Sequence, residues 1–118
     1  MLNKHHRILV PHDGSEMSDK ALNKAIELAK AFKSEIVILH IIDDRLMPTD
    51  AMLGFITQRS SFTDAKTQLL KVLKIGAEAM LKDRMEKVKK NKIDVRFIMG
   101  IGSPPERIAD IAKSEKLI

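Results

Sequence analysis

Cysteine, tryptophan and tyrosine are absent from this sequence of 118 residues, and its aromatic residues are limited to four phenylalanines. The lack of cysteine excludes disulfide frameworks, thiolate nucleophiles, zinc fingers and iron–sulfur clusters, and it is compatible with a reducing cytoplasm. The scarcity of aromatic rings leaves few platforms on which nucleic-acid bases could stack. Thiol chemistry is therefore excluded, and a single-stranded nucleic acid is a poor candidate partner.

Long hydrophobic runs are also missing. The longest apolar stretch, residues 36–42, is interrupted by His40 and is far shorter than the roughly 20 residues that cross a bilayer. The amino-terminal segment lacks the apolar core of a secretory signal, because Pro11 follows soon after Ile8. We therefore expect a soluble, cytoplasmic protein with no membrane partner.

Length and composition indicate one folded domain that spans residues 1–118. Hydrophobic residues make up 44% of the chain and charged residues 31%, close to the average of globular proteins. The net charge of +5 is concentrated between Lys82 and Lys92, where six basic residues are opposed by Asp83 and Glu86 alone. We interpret this stretch as a solvated helix end at the negative pole of the helix dipole, and we do not expect a nucleic-acid partner.

Hydrophobic periodicity predicts strands and helices in alternation. A short apolar strand at residues 7–10 precedes a helix whose apolar residues recur at three- and four-residue steps over residues 22–32. Ser15 or Ser18 is the expected N-cap of this helix. The β-branched run at residues 36–42 is typical of a strand that is covered on both faces.

The second half of the chain continues the alternation. Residues 45–62 have no clear period and are predicted as a long loop with at most one helical turn, followed by a helix that begins at residue 63 or 64 and ends near residue 91. A third strand at residues 93–99 alternates apolar and polar side chains, as an edge strand does. The glycines within residues 100–102 are expected to end it in a turn. Residues 103–106, Ser-Pro-Pro-Glu, then form a capping box that starts another helix.

This order of elements, β-α-β-α-β-α, predicts an α/β protein. The sheet is expected to be open, mostly parallel and doubly wound, of the Rossmann-like type, with helices on both faces. Residues 116–118 look like the start of a further strand. Ligands of such sheets bind beyond the carboxyl ends of the strands, where loops and helix N-termini converge. The candidate site is therefore sought at that edge.

The polar segment between the first strand and the first helix, residues 10–15, lies at that edge. Asp13 is able to accept hydrogen bonds from a ligand hydroxyl or amine, or from the backbone amides of its own turn, and the sequence leaves both open. His12 and His40 could meet Asp13 at the strand ends, but we do not expect a metal site. Ser15 has no evident base partner, so no catalytic residue is assigned.

Four segments of the chain, in order, resemble the universal stress protein family of small nucleotide-binding α/β domains, whose fold is adenine nucleotide alpha hydrolase-like. The segments are residues 8–15, residues 38–43, the basic helix that ends near Asn91, and residues 100–108. In ATP-binding members the aspartate of the first loop contacts the nucleoside, and the backbone just after the histidine of the second strand contacts the adenine. The resemblance assigns these roles to Asp13 and Ile41, with Pro11 and His12 shaping the pocket wall.

The resemblance is incomplete at the carboxyl end. ATP-binding members continue after the third helix into an apolar strand and a glycine-rich segment that cradles the phosphates through backbone amides. Nothing of this kind follows in the printed chain, which ends at Ile118. We therefore expect a fold truncated after the third helix, without the fourth and fifth strands and without the phosphate loop. Gly100 and Gly102 are not expected to replace that loop.

The sequence thus predicts an adenine-nucleotide-binding regulatory domain of the stress response that is not an enzyme. It would hold ATP or AMP by the nucleoside and work as a homo-oligomer, with a dimer as the simplest form. The alternative is a module of the same family that does not bind nucleotides and acts through dimerisation or partner docking. A third hypothesis, an ATP-consuming enzyme, lacks a recognisable phosphate loop or general base.

Overall fold

A computed structural model describes residues 6–43 and 59–114 of the chain. Within these ranges strands and helices alternate in the predicted order. The six elements are β1 (Arg7–Pro11), α1 (Glu16–Phe32), β2 (Glu35–Asp43), α2 (Arg59–Lys89), β3 (Val95–Gly102) and α3 (Pro104–Ser114).

The described strands form one parallel sheet in which β2 lies between β1 and β3. In the register, Val10 of β1 is opposite Ile38 of β2, and Ile38 is opposite Phe97 of β3. Parallel neighbours need crossover connections, and α1 provides the one between β1 and β2. The central position of β2 explains its apolar run, because a middle strand is covered on both faces.

One face of the sheet packs against α1 and α2. Ile36 and Ile38 project from β2 into this core and are completely buried. Leu22 of α1 and Leu81 and Val88 of α2 meet them there, each 0% exposed. Full burial of one such side chain stabilises the folded state by about 1.5–3 kcal/mol. The apolar stripes that predicted these two helices are therefore the surfaces that hold them on the sheet.

The opposite face of the sheet carries α3, which contacts β2 and β3. Val37 and Leu39 alternate with the residues of the first core, so their side chains project to this second face, where they are at most 1% exposed. Gly100 of β3 lies on the same face, and a Cβ there would come within 2.9 Å of Ile41 Cδ1. Helices thus cover both faces, which confirms the predicted doubly wound α/β fold.

Helix α2 begins earlier than the sequence pattern predicts. It starts at Arg59, so the end of the predicted loop at residues 45–62 is helical, while residues 44–58 lie outside the described ranges, as do residues 116–118. Each residue added to an existing helix gains one backbone hydrogen bond. The helix therefore extends into residues that lack a clear apolar period. No helix of the described residues is long and apolar enough to cross a membrane.

The end of β3 also differs from the prediction of a glycine turn. The strand continues through Gly100 to Gly102, because its pairing with β2 extends to the pair of Asp43 and Gly102. Gly102 has a positive φ of 141°, whereas Gly100 does not. Glycine therefore suits the two positions for different reasons. Gly102 adopts a positive φ, and Gly100 leaves room for the side chain of Ile41.

Candidate functional site

The carboxyl ends of β1 and β2, the loop between β1 and α1, and helix α3 enclose a cavity of about 410 Å³. Pro11, His12, Asp13 and Ile41, the residues that the sequence singled out, all line it. The other lining residues come from the same edge of the sheet and from the starts of α1 and α3: Ser18, Leu39, His40, Asp43, Pro104 and Ile108. The fold brings them together because parallel strands end at one edge.

Three larger cavities are also present among the described residues, one of which, of about 530 Å³, lies on α2 beside Phe97 of β3. One of about 500 Å³ opens at the amino ends of the strands, next to the ends of α1 and α2. Another, of about 760 Å³, lies between the end of β2 and the apolar residues of α2, and it shares Asp13, His40, Ile41 and Asp43 with the 410 Å³ cavity. We take the 410 Å³ cavity as the candidate site because it gathers the loop, the strand ends and two helix starts.

Asp13 lies at the mouth of this cavity. Its Oδ1 accepts the Ser15 amide at 2.9 Å and the Ser18 hydroxyl at 2.8 Å. Hydrogen bonding by the Ser15 and Ser18 hydroxyls and by the Ser15 amide lowers the pKa of Asp13 to about 2. Both of these measured hydrogen bonds are on Oδ1, and Asp13 is exposed. The two alternatives left by the sequence are therefore compatible: Oδ1 holds the turn, and Oδ2 is accessible to a ligand.

The backbone of Ile41 faces the space beyond the end of β1. The amide of Glu35 pairs toward β1 and the amide of Ile36 pairs toward β3, so odd-numbered residues of β2 direct their backbone groups toward β1. The register between β1 and β2 ends at Leu39. The N–H and C=O of Ile41 therefore point past the last strand pair, toward the loop.

His12, which the resemblance placed in the pocket wall, has its ring turned into the protein. The His12 side chain is 0% exposed, and its Nε2 lies 2.8 Å from Asp19 Oδ1. Its Nδ1 accepts the amide of Gly14 at 3.0 Å. Gly14 has a φ of 87°, a conformation that glycine adopts with little strain. The imidazole thus supports the loop from inside rather than facing the cavity opening.

His40 joins the end of β2 to the same loop. Its Nδ1 donates a hydrogen bond of 2.8 Å to the backbone carbonyl of His12. This hydrogen bond occupies one ring nitrogen of His40, so that nitrogen needs no metal ion as a partner. In residues 6–43 and 59–114 there is no group of three histidine or acidic side chains that could hold a metal ion.

Asp19 and Arg84 are the residues that sequence reasoning missed. Arg84 Nε donates to Asp19 Oδ1 at 2.8 Å, and the Arg84 side chain is 21% exposed. Arg84 belongs to the basic stretch that we interpreted as solvated, and for this residue the interpretation is wrong. A signal was present: Arg84 is the one arginine among lysines in that stretch, and arginine suits paired contact with a carboxylate.

Comparison with known proteins assigns the chain to a family. The family model of the universal stress protein family matches residues 4–117. The chain belongs to that family. It is 29% identical over 110 residues to universal stress protein YxiE of Bacillus subtilis, which is 93% of this chain and 72% of that protein. It is 31% identical over 114 residues to universal stress protein MJ0577 of Methanocaldococcus jannaschii, covering 92% of this chain and 70% of that protein.

Solved structures agree with this assignment. The structure of MJ0577 superposes with a TM-score of 0.75 at 26% identity, over 95% of this chain and 69% of that chain. A universal stress protein solved in complex with cAMP gives a TM-score of 0.65 at 16% identity, over 95% of this chain and 67% of that chain. The latter likeness concerns the fold alone. Both the family and the fold predicted from the sequence are confirmed.

Proposed function

We propose that this universal stress protein binds an adenine nucleotide, ATP or AMP, at the candidate site and acts as a regulator of the stress response rather than as an enzyme. One observation carries the proposal: Pro11, His12, Asp13 and Ile41 surround a single cavity. The family member solved with cAMP supports an adenine nucleotide as the ligand class. The absence of cysteine suits a reducing cytoplasm, where we place the protein.

The polar groups of the cavity suit the two parts of a nucleoside. Asp13 is ionised at neutral pH, and its Oδ2 is able to accept hydrogen bonds from ribose hydroxyls. The N–H and C=O of Ile41 offer one donor and one acceptor, which match the acceptor and donor on the edge of adenine. Ile108, which is half-buried, supplies apolar surface for the base. The cavity therefore recognises the ligand through the ribose and adenine of its adenosine part.

Phosphate groups find less support among the described residues. Gly100 and Gly102 belong to β3, and a Cβ at Gly102 would lie 3.0 Å from Arg107 Cγ. The positive φ of Gly102, together with its packing against the Arg107 side chain, explains this glycine without a phosphate. We therefore propose that adenosine, AMP and ATP bind with similar affinity to this chain.

Calorimetric titration of the 118-residue chain with adenosine, AMP, ATP and guanosine tests the proposal. We expect similar affinity for the three adenine ligands and weaker binding of guanosine, whose base edge presents a donor where adenine presents an acceptor. A clear preference for ATP over adenosine would contradict the nucleoside-based mode. No binding of any adenine ligand to folded protein would overturn the proposed function.

The second candidate function is a nucleotide-independent interaction module. Within the described residues, β1 has a strand partner on one side only, and an unpaired strand edge favours association with another chain. Self-association at this edge would make the protein a homo-oligomer, with a dimer as the simplest form, whether or not a nucleotide binds. Association without adenosine binding would favour this second function.

A further inference from the structure

Two hydrogen bonds define the protonation of the His12 ring. Its Nδ1 accepts the amide N–H of Gly14 at 3.0 Å, so Nδ1 carries no proton. The proton of the neutral ring is then on Nε2, which donates to Asp19 Oδ1 at 2.8 Å. The ring itself is 0% exposed, whereas the Asp19 side chain is 34% exposed. His12 therefore connects the backbone of the loop to a side chain of α1.

Asp19 continues this connection to α2. Its Oδ1 also accepts Arg84 Nε at 2.8 Å, and its Oδ2 accepts Arg84 Nη2 at 3.3 Å. Hydrogen bonding by Arg84, and next by His12, lowers the pKa of Asp19, and the same contact with Asp19 raises the pKa of Arg84. Arg84 Nη1 in turn donates to Asp83 Oδ2 at 2.7 Å. A planar guanidinium on two carboxylate oxygens holds orientation as well as charge.

The other end of the connection is the loop that carries Asp13. Gly14 donates to His12, and the next residue, Ser15, donates its amide to Asp13 Oδ1 at 2.9 Å. A displacement of the His12 ring would therefore move Gly14 and, with it, the carboxylate at the cavity mouth. An ion pair that served only to pack α1 against α2 would not need to continue to a loop amide.

We propose that Arg84, Asp19 and His12 are positioning residues that hold the loop between β1 and α1 in the shape that receives adenosine, and that they couple α2 to that site. The inference rests on the proposed function for its ligand. It extends the site to Arg84, which is 65 positions from Asp19 in sequence. Because coupling between two sites is reciprocal, adenosine strengthens the contact between Arg84 and Asp19 as much as that contact strengthens binding.

Arg84→Met is the first test, with Lys82→Met as the matched control. Both residues lie on α2, but Lys82 pairs with Glu78 of its own helix at 3.1 Å and has no contact with the loop. We expect Arg84→Met to weaken adenosine binding about 5-fold or more at equal folded fraction and to speed hydrogen exchange of the Gly14 amide. Lys82→Met should change neither quantity. Equal behaviour of the two variants would overturn the proposal.

Two conservative replacements of His12 separate its two contacts. In His12→Asn the side-chain oxygen lies near the former Nδ1 and still accepts from Gly14, but the contact with Asp19 is lost. In His12→Gln the amide nitrogen lies near the former Nε2 and still donates to Asp19, but Gly14 loses its acceptor. A relay needs both contacts, so we expect both variants to weaken adenosine binding. Wild-type affinity in either variant would contradict the relay.

A double variant tests whether the contacts act as one chain. The double variant Arg84→Met/His12→Gln should bind adenosine no less tightly than whichever single variant binds it less tightly. A series of contacts that is already broken at one point loses nothing more when it is broken at a second. Additive losses would show two independent effects and overturn the proposal. If Arg84→Met does not fold, Arg84→Lys takes its place, since it retains the charge but not the contact with both oxygens.

The failure of this inference is distinguishable from the failure of the proposed function. A folded wild-type chain that does not bind adenosine overturns the proposed function. Exchange of the Gly14 amide is measured without ligand, so it tests the relay in either case. An unchanged exchange rate in Arg84→Met overturns the relay even if adenosine binds to the wild type.

Discussion

The Nδ1 of His40 donates a hydrogen bond of 2.8 Å to the backbone carbonyl of His12, where β1 has already ended. The amide of His12 donates to the carbonyl of Leu39 at 2.7 Å. These two contacts connect the loop to β2 beyond the last register pair of the strands. Both walls of the candidate cavity are therefore joined directly to each other.

Loss of the His40 contact should destabilise the protein. We expect His40→Phe, which retains an aromatic ring but removes the donor, to lower the free energy of unfolding by about 1 kcal/mol. His40→Asn places an amide donor near the former Nδ1 and should lose less. Urea unfolding of the two variants measures the difference, and an equal loss in both would show that the hydrogen bond is not the cause.

Asp13→Asn should weaken adenosine binding while leaving the turn in place. The asparagine oxygen still accepts from Ser15, but the charged oxygen proposed to receive the ribose hydroxyls is replaced by a donor. A lost hydrogen bond to a charged group corresponds to about a tenfold or greater loss of affinity. Asp94→Asn, an exposed aspartate at the opposite edge of the sheet, is the control. In calorimetric titration Asp94→Asn should bind adenosine with wild-type affinity, and Asp13→Asn should bind it more weakly.

The low pKa of Asp13 makes the free energy of unfolding depend on pH in the acidic range. Its pKa is lowered to about 2 in the folded protein, against about 3.9 in an unfolded chain. A lowered carboxyl pKa stabilises the folded state above the unfolded value, and this contribution is lost as pH falls toward the folded value. Between about pH 4 and 2, wild type should therefore lose stability relative to Asp13→Asn. Parallel pH profiles of the urea midpoints would contradict this.

The same substitution at two glycines should have opposite effects. Neither Gly14 nor Gly76 has an atom within 4 Å of an added Cβ, so packing does not distinguish them. Gly14 has a positive φ of 87°, and Gly14→Ala should cost about 1–2 kcal/mol of stability. Gly76 lies inside α2, where Gly76→Ala should stabilise by about 0.5–1 kcal/mol. Thermal unfolding of both variants checks the signs.

The edge of β1 should lead to association at micromolar concentration. The amide of Glu35 bonds to the carbonyl of His6 and the amide of His12 bonds to Leu39, so even-numbered residues of β1 face β2 and Leu9 directs its N–H and C=O away from it. Leu9→Lys should shift sedimentation toward the monomer, since an edge lysine opposes strand pairing.

Leu28→Lys is the control for this last substitution, because Leu28 is an exposed leucine of α1 and not a residue of β1. It should leave sedimentation unchanged. A monomeric wild type, or equal effects of the two lysines, would contradict the expected role of the β1 edge.

Much of the fold followed from local patterns. The apolar stripe of α1, the β-branched run of β2 and the alternation in β3 each predicted the right element, because burial selects side chains at the period of the backbone. Boundaries were less accurate. The start of α2 at Arg59 and the extension of β3 to Gly102 depend on helix propagation and on pairing with β2, which side-chain periodicity does not record.

The candidate site divides in the same way. Asp13 could be proposed from its position after the first strand, since parallel strands end at one edge of the sheet, and both Asp13 and Ile41 could be proposed from the family resemblance. Their role in binding stays a prediction. The buried ring of His12 could not be proposed, because its orientation depends on contacts with Gly14 and Asp19 that form only in the folded chain.

The sequence by itself determined the order of the elements, the two-sided burial of β2 and the position of the polar loop, because these depend on the identities of neighbouring residues. Only the tertiary structure decided that Arg84 lies on Asp19 and that Asp19 lies on His12. Packing of α1 and α2 on one face of the sheet brings side chains 65 positions apart to 2.8 Å. Local spacing carries no information about a contact at that separation.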